Sequence, residues 1–259
     1  MSSFLLLACT ATDLDSASFD SAPEDTEDSG FEGFEVSGQV VDLQGEPVVN
    51  VFVTVSTEFC IPDRTAQDGS FTVGSVSAGP KRLITYGETA DNGLFASVSF
   101  AFDAEQAMTL DAPVVTPELV ERIPLVIDSA EEQVLVSADG FELTVPAGSL
   151  ELAPFMPEEL QLARVPIEQA PPFAAELELL DLVVLHPIQS TFTSPAPLAF
   201  PADLGLAEGT AVTLHRLNYE TGSVEPVATG HVDADGHPRT DEGQGIDELT
   251  WIALTLEIE

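Results

Sequence analysis

Basic residues are what this chain has least of. Seven Lys and Arg stand against 45 Asp and Glu in 259 residues, for a formal net charge of −38. So few cations cannot build the clustered basic patch of a nucleic-acid footprint, and the same charge opposes docking on an anionic lipid face. Cysteine is almost as scarce. Cys9 and Cys60 are the only two, which rules out a multi-bridge disulfide framework. Cys60, between Phe59 and Ile61, is expected to be buried as a small hydrophobe. No apolar run reaches 18 residues, so no transmembrane helix is predicted. The Gly-x-Ser-x-Gly elbow, the phosphate-binding glycine loop and the His-Glu-x-x-His helix are all missing. Carboxylates are scattered so densely that a pair of them says nothing about acid–base chemistry. Their spread fits a solvated surface in a saline medium, where the screening length falls to about 3 Å at 1 M salt. The expectation is a protein that is not an enzyme and holds no cofactor.

What is present begins at the N-terminus. Leu6-Leu7-Ala8-Cys9 is apolar, apolar, small, cysteine, and resembles the lipobox of a bacterial lipoprotein. The resemblance implies lipidation of Cys9 and a truncated signal over residues 1–9. Phe4–Ala8 form only an apolar stub without a basic n-region, so the start of the signal is expected upstream. Residues 10–34 are rich in Ser, Thr, Asp and Glu. Low hydrophobicity with charge of one sign predicts a disordered acidic tether, which could reach roughly 80–90 Å. A membrane is thus the expected partner through the N-terminal lipid, with location in the cell envelope, at the outer membrane or cell surface.

From Phe34 the pattern changes to short period-two runs between turn residues. Val36–Val41, Val49–Val55, Ser70–Val73, Lys81–Tyr86 and Ala96–Phe102 alternate, with Gly45-Glu46-Pro47, Asp68-Gly69 and Ala78-Gly79-Pro80 between them. Many short strands with Gly/Pro turns predict an all-β sandwich. The order Gly38-x-Val40, Gly45-x-Pro47, Val51-x-Val53, Asp68-Gly69-x-Phe71, Ala78-Gly79 and Leu83-x-Thr85 resembles a carboxypeptidase regulatory-like (transthyretin-like) domain over residues 35–112. That family implies a fold and an accessory or spacer role, not a reaction.

Residues 113–133, with three prolines and the acidic run Asp128–Glu132, read as a connector. A second module is expected over 134–259, giving two Ig-like or transthyretin-like β-sandwich modules after the tether. Its first hairpin, Gln133–Val145 around Ser137-Ala138-Asp139-Gly140, closes in Pro146-Ala147-Gly148 and resembles the start of ZU5-like modules. Leu177–Leu185 is a near-continuous apolar run, expected as a strand covered on both faces, with a buried helix segment as the alternative. Glu220-Thr221-Gly222 and Thr250-Trp251 resemble the C-terminal module of large exported bacterial proteins, and Trp251 is expected in a core.

One group of metal-ligand types stands out: His231, Asp233, Asp235 and His237. Two imidazoles and two carboxylates in one turn are candidate ligands for weak divalent-cation binding. Counted from Asp233, Pro238 and Gln244 fall where a calcium loop needs Gly and Glu, and an Asp-x-Asp-Gly hairpin explains the same residues without a metal. His186 and His215 lie far apart in strand-like contexts and are expected to be satisfied or exposed. The function predicted is display or binding, with an envelope or extracellular protein or glycan as partner. The alternatives are an accessory module of an envelope hydrolase, or calcium-dependent adhesion through acids near Asp128–Glu132.

Overall fold

The computed structural model describes residues 33–56, 60–154 and 156–257; Cys9 and residues 10–32 of the expected tether lie outside them, and Phe34, assigned to that tether, instead opens the first strand by pairing with Val76. The fold is all-β and sandwich-like, and helical structure among the described residues is confined to short 3-10 turns.

The first part contains β1 (Phe34–Val41), β2 (Phe52–Ser56), β3 (Cys60–Arg64), β4 (Ser70–Val76), β5 (Gly79–Tyr86), β6 (Val98–Ala104), β7 (Met108–Thr109) and β8 (Val114–Val115). Strands β3-β2-β5-β6 form one antiparallel sheet, and β4-β1-β7 another, with β8 also on β1. The turns are set by the residues expected to set them. Asp42 Oδ1 accepts from the amides of Gln44 and Glu46 at 2.8 and 2.9 Å, an Asx-type turn. Gly69 has φ +76°, and a Cβ there would lie 2.5 Å from the Val40 carbonyl oxygen, so only glycine fits. The alternation expected from Val49 becomes strand only at Phe52, because Asn50 sits at φ +62° and turns the chain.

The second part contains β9 (Glu121–Pro124), β10 (Gln133–Val136), β11 (Glu142–Val145), β12 (Leu150–Glu151), β13 (Glu159–Arg164), β14 (Leu179–His186), β15 (Thr191–Ala196), β16 (Leu198–Ala199), β17 (Ala211–Asn218), β18 (Ser223–Val232), β19 (Pro238–Thr240), β20 (Ile246–Glu248) and β21 (Trp251–Leu256). Ten of these make one sheet in the order β10-β11-β16-β19-β18-β17-β21-β14-β13-β9, and β12-β15-β20 make a small one. The end strands β9 and β10 are consecutive in sequence and meet through side chains. Glu121 Oε1 accepts from Ala138 N at 2.7 Å, and the Gln133 amide bonds both N and O of Val126. The sheet therefore curls round its own core of Leu143, Leu160, Leu185, Phe200, Leu214 and Leu254, into which Leu150, Phe192 and Ile246 of the small sheet also project.

Strand β14 explains the apolar run. Val183 and Leu185 enter the curled sheet's core, while Leu182 and Val184 face the other way into the first part's core. Strand β21 divides likewise: Ile252 and Leu254 inward, Trp251 and Ala253 toward the first part. A strand with both faces apolar must be covered on both sides to keep that surface from water, and the first part is the cover. One core thus runs from Val36, Val53 and Leu83 through to Leu182 and Trp251.

Candidate functional site

The four predicted metal-ligand residues sit on β18 and the turn leading to β19. His231 Nδ1 is 2.6 Å from Asp241 Oδ1, and this contact, with a bond from Thr229, holds the Asp241 carboxyl below its ordinary range. Asp233 Oδ1 accepts from the amides of Asp235 and His237, and Oδ2 from Arg239 Nε at 2.7 Å. The Arg239 guanidinium is the main reason the Asp233 carboxyl is also lowered. His237 Nδ1 lies 3.0 Å from the Phe200 carbonyl oxygen, and Asp235 is exposed. Both oxygens of the Asp233 carboxylate are thus already used by the hairpin's own amides and by Arg239. Among the described residues no group of three or more His, Cys, Asp or Glu is gathered to hold a metal ion, and that includes the described acids of Asp128–Glu132.

A second set of titratable side chains lies where the two parts meet. A cavity of about 30 Å³ is lined by Tyr86, Glu88, Ser97, Met156, His186, Ile188, Gln189 and Tyr219. Sequence separations of up to 133 residues between Tyr86 and Tyr219 hid this cluster from any local pattern. Ser97 Oγ donates to Glu88 Oε2 and accepts from Gly87 N at 3.1 Å. Burial pushes the Glu88 carboxyl up, and the Ser97 bond partly offsets it. Tyr219 is buried, and that burial holds its phenol well above 10. His186 differs from expectation. It is 3% exposed, its Nδ1 has no hydrogen-bond partner among the described residues, and burial pushes its pKa down to about 4. The imidazole is neutral at pH 7. His215 is the satisfied histidine that was expected, 3.0 Å from Thr255 Oγ1.

This cluster contains the residue types of a nucleophilic site without its wiring. Activation of a serine needs a base within hydrogen-bond reach; Ser97 is bonded to a carboxyl group, and among the described residues no bond joins it to His186. A cavity of this volume holds about one water molecule, not a substrate. What surrounds it is a joint. Trp251 Nε1 donates to Ser97 O at 2.7 Å, Ser99 Oγ and Arg82 Nη1 both donate to Tyr219 O at 3.1 Å, and Ala101 N donates to Gly222 O at 3.3 Å. The Phe173 ring packs edge-on against Trp251 with centroids 5.3 Å apart. Gln169 Nε2 donates to Leu43 O at 2.9 Å.

Sequence reasoning also missed an ion-pair cluster on β13 and β14. Arg164 Nε donates to Asp181 Oδ1 at 2.9 Å, and its two terminal nitrogens grip Asp203 at 2.7 and 3.0 Å. The three residues span positions 164–203, and only the antiparallel pairing of β13 with β14 brings Arg164 beside Asp181.

The sequence matches no family model, and no curated protein matches it. Among solved structures, the chain is similar to a streptococcal ancillary pilin at 10% identity and a TM-score of 0.27, over 85% of this chain and 52% of that one; it spans about half that pilin's length. It is also similar to the major pilin subunit of Bacillus cereus at 9% identity and a TM-score of 0.29, over 87% of this chain and 96% of that one. A third likeness is to a DUF3823 family protein of Bacteroides ovatus, at 8% identity and a TM-score of 0.27, over 87% of this chain and 96% of that one.

Proposed function

We infer that the chain is a non-catalytic display or spacer protein of the bacterial envelope, carried on an acidic tether from a lipid on Cys9. The observation that carries the structural half is the joint. Two β parts share one core through Leu182, Val184, Trp251 and Ala253, which suits a body that holds a surface at a fixed distance and orientation. A hinged pair of modules would expose apolar surface at every opening, at about 25 cal/mol per Å². The envelope half rests on Leu6-Leu7-Ala8-Cys9 and the acidic stretch behind it. Acyl chains contribute about 0.8 kcal/mol per buried methylene, and two or more give stable attachment. The net charge of −38 keeps the displayed body off anionic surfaces and selects basic partners.

The test is intact-mass analysis of the membrane fraction after expressing the gene with its upstream region in a Gram-negative host, beside a Cys9→Ser variant. A diacylglyceryl mass on Cys9 that the variant lacks is the expected result. An unmodified, soluble product from both genes removes the anchor and the surface location with it.

A further inference from the structure

The two ends of the ten-stranded sheet meet without a backbone ladder. Strand β9 pairs with β13 and β10 with β11, and among the described residues no main-chain hydrogen bond joins β9 to β10. Side chains close the seam instead. The Gln133 amide accepts from Val126 N at 2.9 Å and donates to Val126 O at 2.8 Å, as a peptide unit of a neighbouring strand would. Glu121 Oε1 accepts from Ala138 N at 2.7 Å.

The registers show which backbone groups are left over. Leu125 N donates to Glu158 O, and Ser137 N to Phe141 O, both away from the seam. Alternate residues of an antiparallel ladder turn their N–H and C=O groups to opposite sides. Arg122 of β9 and Val134 and Val136 of β10 therefore present theirs to the seam, where they have no hydrogen-bond partner among the described residues. Natural edges are blunted by charge, proline or a bulge. Strand β9 has Arg122 and Pro124, but Gln133-Val134-Leu135-Val136 of β10 has none of these. Val134 and Val136 are each 54% exposed, and with Val120 and Val126 they are four of the six large exposed hydrophobics among the described residues. Acids flank β10: Glu131 and Glu132 before it and Asp139 behind it are exposed. None of the three is in an ion pair among the described residues, and the nearby cation, Arg122, faces Glu159 at 4.0 Å.

We propose that this seam accepts an extended segment of a partner polypeptide, which pairs with β10 and displaces the Gln133 and Glu121 side chains. Strand addition supplies the main-chain donors and acceptors that the edge lacks. Val134 and Val136 call for apolar side chains beside them, and the acids at both ends of β10 call for Lys or Arg on either side of that apolar centre. A second copy fits poorly. Antiparallel β10 on β10, centred on Leu135, sets Glu131 of one copy opposite Asp139 of the other, and like charges directly opposite are destabilising. The acceptor deepens the display role inferred above and rests on it, but it needs no lipid on Cys9, so loss of the anchor leaves it in place.

The experiment follows the backbone amides of the full chain by NMR and hydrogen exchange during titration with acetyl-Arg-Lys-Val-Thr-Val-Thr-Lys-Arg-amide. One companion peptide carries Glu at the four basic positions. Another is N-methylated at its four central residues, which removes their donors. Saturable shifts at Arg122, Val134 and Val136 are expected, with exchange of the two valine amides slowed at least about tenfold. Affinity for the basic peptide is expected at least about tenfold above either companion. Val134→Pro removes a seam-side donor and spares the β11 ladder, as edge strands tolerate, and it abolishes binding. Glu131→Lys with Glu132→Lys, both surface changes, weakens binding several-fold and carries the test if Val134→Pro fails to fold. No saturable shift, equal binding of either companion, or unaltered affinity in either variant overturns the proposal. So does protection that rises with protein concentration in the absence of peptide, which is the mark of a second copy.

Discussion

Trp251 Nε1 donates to the carbonyl oxygen of Ser97 at 2.7 Å, with both groups buried and 154 positions apart in sequence. Indole N–H groups find a partner when buried, and here the partner belongs to the other half of the molecule. Trp251→Phe keeps most of the packing but leaves that carbonyl without its donor, and is expected to cost about 1–3 kcal/mol. Trp251→Ala also opens a cavity and is expected to cost about 3–5 kcal/mol. Urea midpoints of the two variants, in that order below the parent, check the assignment.

Gly222 is the second clamp. It has φ +70°, and a Cβ there would lie 2.7 Å from Ala101 N and from Phe100 C, both backbone atoms of β6. Gly209 has φ +77° with nothing within 4 Å. Both Gly→Ala changes incur the left-handed penalty of about 1–2 kcal/mol, but only Gly222→Ala drives β6 away. It is expected to lose roughly 1–3 kcal/mol more than Gly209→Ala, measured by parallel denaturant titrations. Equal losses would show that β6 does not press on this turn.

Arg164→Met removes the cation from Asp181 and strands a buried carboxyl group. Breaking one partner of such a pair costs about 3–5 kcal/mol. Arg164→Met with Asp181→Leu is expected to regain most of that loss, because an apolar pair needs no compensation. Thermal unfolding of the single and double variants gives the coupling directly.

The pH dependence carries two opposing contributions from one cavity. His186 has its pKa pushed down to about 4 by burial, so the unfolded chain takes up that proton first. Stability is therefore full above pH 6.5, falls as pH drops from 6.5 to about 4, and levels below; the loss is about 3 kcal/mol. Glu88 runs the other way. Its carboxyl is raised by burial, so its contribution is present below the ordinary value of about 4.5 and is lost as pH rises through the raised value. His186→Gln is expected to remove the loss of stability on acidification from pH 6.5 to about 4, and Glu88→Gln the loss that sets in as pH rises above about 4.5. Unfolding free energies across that range, for parent and both variants, separate them.

Strands and turns were largely legible because their causes are local. Alternation in Val36–Val41, Ser70–Val73 and Lys81–Tyr86 falls within β1, β4 and β5, and the doubly apolar run at Leu177–Leu185 pointed to a strand covered on both faces, as β14 is. Asp68-Gly69 and Asp235-Gly236 turn the chain where expected, with positive φ at both glycines. Trp251 was legible as a core residue, but not the face it uses, since its donor needs Ser97 from the far part. Asp181 and Glu88 were invisible among 45 acids. Only pairing across β13–β14 and β5–β6 sets them apart, and such pairing depends on residues distant in sequence. The His231–His237 turn shows the converse. Of a local pattern rich in ligand atoms, the Asp233 carboxylate is taken up by the turn's own backbone amides and by Arg239.

The two β parts share one core and are expected to fold as one body, and Trp251, the chain's one tryptophan, sits in the joint as a native probe. Urea unfolding followed by its fluorescence and by far-ultraviolet circular dichroism should give coincident single transitions with one midpoint. A tryptophan transition complete at lower urea, while most of the circular dichroism signal persists, would mean that the joint opens before the sheets melt, and would contradict the account.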